Sequence, residues 1–94
     1  MRHFIIVKWK DPAKMRSEIP AIEALFYELT ELSGIHSVRV LPCCIERPNR
    51  YDLMIEIEMD EEALPAYDAS YPHHKWKDCY GEAIRDKVIF DAGN

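Results

Sequence analysis

The stretch Arg2–Trp9, reading RHFIIVKW, constrains the fold more than any other part of this sequence. It is rich in β-branched and aromatic residues and too short for a free-standing helix, so it predicts a strand. Successive strand residues point to opposite faces. His3, Ile5, Val7 and Trp9 therefore take one side, and Phe4, Ile6 and Lys8 the other. Both sides are apolar near the middle, which places the strand centrally in a sheet with something packed on each face.

Downstream, Lys10-Asp11-Pro12 predicts a turn, and Ser17-Glu18-Ile19-Pro20 a helix start, since proline is tolerated in a first turn where its missing N–H is not needed. That helix is expected to reach about Leu32. Ile22, Leu25, Phe26, Leu29 and Leu32 recur at spacings of three and four and form one apolar stripe, and Gly34 is a natural stop. Ile35 to about Ile45 predicts a second strand, followed by a polar loop over Glu46–Arg50. Tyr51–Met59 predicts a third, in which Leu53, Ile55, Ile57 and Met59 alternate with Asp52, Met54, Glu56 and Glu58. Asp60 has N-cap chemistry, with Glu61 and Glu62 opening a short helix that carries Ala63, Leu64 and Tyr67. Ser70-Tyr71-Pro72 interrupts it, a helix over about His73–Ile84 follows, and Lys87–Asp91 closes as a strand.

The order β-α-β-β-α-(α)-β predicts an α+β fold. It is the ferredoxin-like arrangement, a four-stranded antiparallel sheet with its helices on one face, with residues 1–94 forming a single domain. The opposite face is then bare and holds Phe4, Ile6 and Met54, a patch that a monomer in water rarely leaves open. Two sheets packed face to face would cover it, so a homodimer is expected. Lys8 and Glu56 or Glu58 share that side and are expected to satisfy one another.

Charge and composition narrow the partners. The net charge is −5, without a basic run, so the electrostatic footprint that a phosphate backbone requires is missing and no nucleic acid is expected. With 31% charged residues, and Phe4–Val7 far below the roughly 20 apolar residues of a membrane span, no membrane association is expected. The start of the chain lacks signal-peptide features, and a cytoplasmic location is expected. The three cysteines, Cys43, Cys44 and Cys79, are odd in number and two are adjacent, so they make no disulfide framework; they are expected to be buried, inert thiols. His73, His74 and Asp78 lie close in sequence, but two ligands at helical spacing make a polar face rather than a metal site. Neither metal nor cofactor is expected.

Several of these segments together resemble a known family, the stress-responsive dimeric α/β barrel (Dabb) domains. The likeness rests on Arg2-His3-Phe4-Ile5-Ile6-Val7 at the start, Tyr51-Asp52 at the third strand, Glu61-Glu62-Ala63-Leu64 leading to Tyr67, and the ending Val88-Ile89-Phe90-Asp91. It spans nearly the whole chain. Dabb members typically carry Tyr-x-x-His-Pro-x-His after the acidic helix, where this chain has Tyr67-Asp68-Ala69-Ser70-Tyr71-Pro72-His73-His74. Alignment on Pro72 makes His74 the second motif histidine, whereas alignment on Tyr67 and on Phe90-Asp91 makes it His73. On a helix of about 3.6 residues per turn, Trp76, Tyr80, Ala83 and Ile84 form an apolar face with His73 at its edge, so His73 is expected at the site and His74 in solvent.

The resemblance implies a dimeric α/β barrel that binds a small molecule. In plant polyketide cyclases similar to this family, the matching histidine and tyrosine act on a substrate held between sheet and helices. By that resemblance His73 is the general base, Tyr67 the hydrogen-bond donor to a developing enolate oxygen, and His3 a further polar group at the pocket edge, in an aldol cyclisation or isomerisation. The expected apolar lining is Ile5, Val7, Phe26, Ile55, Ile57, Trp76, Ile84 and Ile89. Lys87 is expected near the pocket mouth, where it would favour an anionic ligand. Two other readings compete: a non-catalytic stress-response or interaction dimer, and a cofactor-free monooxygenase-like enzyme. An open cavity of about 300 Å³ or more, with His73 and Tyr67 facing it, would favour a ligand; an interior filled by Phe26 and Trp76 would favour the structural role.

Overall fold

The computed structural model describes residues 1–93. Its strands are β1 (Arg2–Trp9), β2 (Ile35–Pro42), β3 (Leu53–Met59) and β4 (Ile84–Ala92); its α-helices are α1 (Pro12–Met15), α2 (Ile19–Tyr27), α3 (Leu64–Asp68) and α4 (Tyr71–Tyr80). The sheet order is β2-β3-β1-β4, with every neighbouring pair antiparallel, which is the ferredoxin-like arrangement. β1 is internal, between β3 and β4, as its two apolar faces require. Register sets what shares a face: Ile5 sits between Ile55 and Ile89, and Ile6 between Met54 and Val88.

On the helix side, Ile5, Val7, Trp9, Leu53, Ile55, Ile57 and Met59 are buried beneath Ile22, Phe26 and Leu29 of the first helical layer and Trp76 of α4. Trp76 joins the two layers edge-on, with ring centroids 5.2 Å from Phe26 and 6.1 Å from Trp9. Covering one face of β1 in this way leaves its other face to the open side of the sheet.

Local chemistry moves several boundaries from their expected places. The expected turn at Lys10-Asp11-Pro12 is a helix start, because the Asp11 carboxylate accepts from the Lys14 N–H (3.2 Å) and Pro12 occupies the first turn. The expected continuous helix is instead α1, a 3₁₀ turn at Arg16–Glu18, α2, and a second 3₁₀ turn at Glu28–Glu31. Gly34 then turns the chain at φ +86°, where an added Cβ would meet the Ala63 Cβ at 2.9 Å. β2 ends at Pro42 rather than near Ile45, since the ladder closes with the Cys43 N–H on the Asp52 carbonyl (2.9 Å). β3 begins at Leu53 because the Asp52 carboxylate is taken up by the Trp9 N–H (2.7 Å).

Two expectations are corrected outright. All three cysteines are exposed: Cys43 and Cys44 fall in the loop after the shortened β2, and Cys79 is on the outer side of α4. Lys8 does not pair with Glu56 or Glu58. It donates to the Pro48 carbonyl (2.7 Å) and lies over the Tyr51 ring, while Glu56 is held between Arg2 and Arg39, each at 3.7 Å.

Candidate active site

The site lies where β1 and β4 meet the α3–α4 corner. α3 ends at Asp68 and α4 begins three residues later, and Ser70 makes the corner: its hydroxyl donates to the Tyr67 carbonyl (2.7 Å) and accepts from the His73 N–H (3.3 Å). Serine at an N-cap followed by proline in the first turn is sufficient reason for α4 to start here. One buried hydroxyl thereby fixes the backbones of both Tyr67 and His73. Tyr67 is 1% exposed, and its ring lies 4.8 Å from the His73 ring and 5.1 Å from the His3 ring, between centroids.

The protonation pattern follows from the partners. The His73 Nδ1 is 2.9 Å from the Asp68 carbonyl oxygen, which can only accept, so Nδ1 carries a proton and Nε2 is the basic nitrogen of the neutral ring. The His3 Nδ1 likewise donates to the Asp91 carboxylate at 2.5 Å, with the His3 side chain 7% exposed and that of Asp91 42%. The Tyr67 Oη is buried and has no hydrogen-bond partner among the described residues. Burial, and secondarily the charges of Asp68 and Asp91, hold the Tyr67 hydroxyl well above the usual phenol range, so it is a proton donor throughout the neutral region.

A half-open cavity of about 160 Å³ is lined by His3, Ile5, Tyr67, Asp68, His73, Trp76, Lys77, Lys87 and Ile89. The structure thus brings together His3, Tyr67 and His73 with Ile5, Trp76 and Ile89 of the expected lining, and Lys87 at its edge. His74 is exposed on α4. Val7, Phe26, Ile55 and Ile57 do not reach the cavity: they are fully buried in the core, because Phe26 and Trp76 fill the interior between sheet and helices. Ile84 pairs across from Trp9 at the far end of β4, also away from the cavity.

Sequence reasoning missed four contributors. Asp91 stands directly across from His3, a placement readable only once the β1–β4 register is known. Asp68 and Lys77 flank residues already singled out, and Ser70 carried an available signal, the N-cap preference of serine three residues before His73. A larger recess of about 270 Å³, with Trp9, Met15, Ile19, Cys43, Arg47 and Asp52 among its walls, lies elsewhere on the molecule. It lacks histidine and tyrosine, so the convergence of proton-transfer groups belongs to the smaller cavity. Among the described residues, no group of three or more His, Cys, Asp or Glu side chains is placed to hold a metal ion. None of the described helices is long and apolar enough to cross a membrane.

No family model matches the sequence, and neither does any curated protein. Solved structures do match over nearly the full chain. A dimeric ferredoxin-like protein of unknown function from Thermobifida fusca is similar at a TM-score of 0.78 and 15% identity, covering 95% of this chain and 85% of that one. A Dabb family protein with a ferredoxin-like fold from Mesorhizobium loti is similar at 0.64 and 13%, covering 99% and 94%. This chain has a ferredoxin-like fold. A hydroxynitrile lyase from Passiflora edulis is similar at 0.71 and 14%, covering 95% and 87%. At these identities the likeness is one of fold, and what the scaffold does here depends on its own side chains.

Proposed function

We propose that this Dabb-type domain is a homodimer that binds a small organic molecule beside His3, Tyr67 and His73 and moves a proton on it without a cofactor. The observation that carries the reading is Tyr67: the residue lines the cavity with its ring between two imidazoles, and its buried hydroxyl is free of any described protein partner. A buried polar group is normally paired, so an unpaired donor on a residue beside a cavity is one that a ligand atom can pair with. His73 Nε2 then takes the proton from an acidic carbon while Tyr67 Oη donates to the oxygen on which enolate charge develops. The His3–Asp91 pair supplies a second site at which that proton can be held. An aldol cyclisation or an isomerisation needs no more than this. That a hydroxynitrile lyase uses the same architecture supports an enzymatic role.

The experiment is a thermal-shift screen of small phenolics and β-keto compounds, followed by turnover assays of the hits on the wild type and on His73→Ala. A positioned general base contributes about 10²–10⁴-fold, so the variant should lose at least about a hundredfold in kcat with its melting temperature unchanged. Undiminished turnover would remove His73 from the chemistry. One observation favours the non-catalytic dimer instead: the cavity, at about 160 Å³, is smaller than the 300 Å³ or so typical of ligand pockets, and Phe26 and Trp76 fill the space behind it. A screen without hits, together with a Tyr67→Phe variant that behaves as the wild type in every assay, would decide for that reading.

A further inference from the structure

The cavity is polarised along its length. On α4, His73 and Lys77 are one turn apart on the same side, a separation of about 6 Å along the axis. On β4, Asp91, Ile89 and Lys87 alternate onto the helix side, across from His3, Ile5 and Val7 respectively. Both elements run along the cavity in the same order, so His3, bonded to Asp91 outside the lining, gathers with Tyr67, Asp68 and His73 at one end and Lys77 and Lys87 lie at the other, with Ile5, Trp76 and Ile89 between.

The acidic groups nearby are accounted for differently. Asp91 is engaged by His3, and Asp86, the residue before Lys87, accepts from the Tyr51 hydroxyl at 2.7 Å and from the Lys87 backbone N–H at 2.9 Å. Asp68 also lines the cavity but at the histidine end, where its backbone carbonyl receives His73; its carboxylate forms no ion pair among the described residues and sets a negative charge at the end opposite the lysines. The ammonium groups of Lys77 and Lys87 form no ion pair among the described residues. In a chain of net charge −5, two unpaired cations at one end of a cleft are a local reversal of the overall field.

We propose that the ligand of this cleft is a small carboxylate, with its charged group at the Lys77 and Lys87 end and its reacting carbon about one helical turn away, beside Tyr67 and His73. This rests on the small-molecule reading above and adds a substrate class to it. The apolar span of Ile5, Trp76 and Ile89 separates the two ends, so the chain or ring linking charge to reacting carbon is uncharged. A cavity of about 160 Å³, roughly half the lower end of the range for ligand pockets, limits the enclosed part of the ligand to a small group.

The test compares two acids, phenylacetate and acetoacetate, each with its neutral amide, by calorimetric titration. Wild-type protein should bind at least one acid about tenfold or more tightly than its amide, a preference that falls on raising the salt. In Lys77→Gln/Lys87→Gln, whose changes are on exposed side chains, the ratio of acid to amide affinity should drop to near one. Amides binding as tightly as acids in the wild type would overturn the carboxylate inference while leaving the small-molecule site standing. Acid preference persisting in the double variant would also overturn it, because the anion would then be held elsewhere. Failure of all four probes to bind would overturn it together with the site.

Discussion

A buried hydroxyl without a partner costs about 1–3 kcal/mol, and Tyr67 carries that cost while its ring packs between His3 and His73. Removing only the oxygen should therefore leave the fold unharmed: Tyr67→Phe is expected to match or exceed the wild-type melting temperature while ligand binding and turnover fall. A clear loss of stability would mean that the hydroxyl has a structural task. The same substitution isolates a pH dependence. Burial first, then the charges of Asp68 and Asp91, raise the Tyr67 pKa above its ordinary 10.0, so the folded state holds this proton more tightly than the unfolded chain does. The associated stability is present in full below pH 10 and is lost as the pH climbs beyond it toward the folded value. Tyr51 and Tyr80 are raised too, but they are common to both proteins. Denaturation profiles should thus diverge only above about pH 10, with Tyr67→Phe becoming the more stable of the two. Tyr67 itself was legible through its resemblance to the Dabb motif. That its hydroxyl is unpaired was not, because pairing depends on which neighbours the α3–α4 corner brings near.

That corner is the element on which the site depends, and it is also where sequence reading was least complete. Ser70-Tyr71-Pro72 reads as an interruption of helical pattern; in the fold it is the first turn of α4, capped by Ser70. The apolar stripe from Ile22 to Leu29 is legible because it has helical period, but whether the chain runs through Arg16–Glu18 and Glu28–Glu31 as α or as 3₁₀ turns leaves no periodic trace. Ser70→Ala should lower stability by about 1 kcal/mol through loss of the cap, read in urea melts. Ser70→Asp separates the two bonds of the serine hydroxyl, since a carboxylate can accept from the His73 N–H but cannot donate to the Tyr67 carbonyl. The cap should be regained in that variant and the joint placement of Tyr67 and His73 should not, so stability recovers while kcat stays low. Recovery of both would show that Ser70 is a helix cap and nothing more.

At the scale of the whole molecule, the apolar residues on both sides of β1 were enough to infer a sheet with a second apolar face, and the alternation in β3 fixed which side the helices take. The extent of that second face needed strand register: Leu41 joins it across from Met54, and Val88 and Phe90 across from Ile6 and Phe4. Phe90 remains 59% exposed and Val88 41%, a concentration of apolar surface that single chains in water seldom retain. Of the two glutamates on this face, Glu56 has its side chain only 14% exposed and already held by Arg2 and Arg39, while the exposed Glu58 accepts from the Ser37 hydroxyl toward the end of the strand. A twin sheet can therefore cover the apolar middle of this face, around Glu56, without burying an unpaired charge there, which is the usual obstacle to such docking. Phe90→Glu places a charge with no such partner at the edge of the patch and deletes a large apolar side chain. It should raise the dimer dissociation constant by about 30-fold or more, equivalent to roughly 2 kcal/mol, in sedimentation equilibrium. Because Val88 and Phe90 face away from Lys87, Ile89 and Asp91 along the same strand, that substitution should leave the affinity of the cavity for its ligand intact. A simultaneous loss of ligand affinity would mean that the site is completed only when two copies of the chain come together.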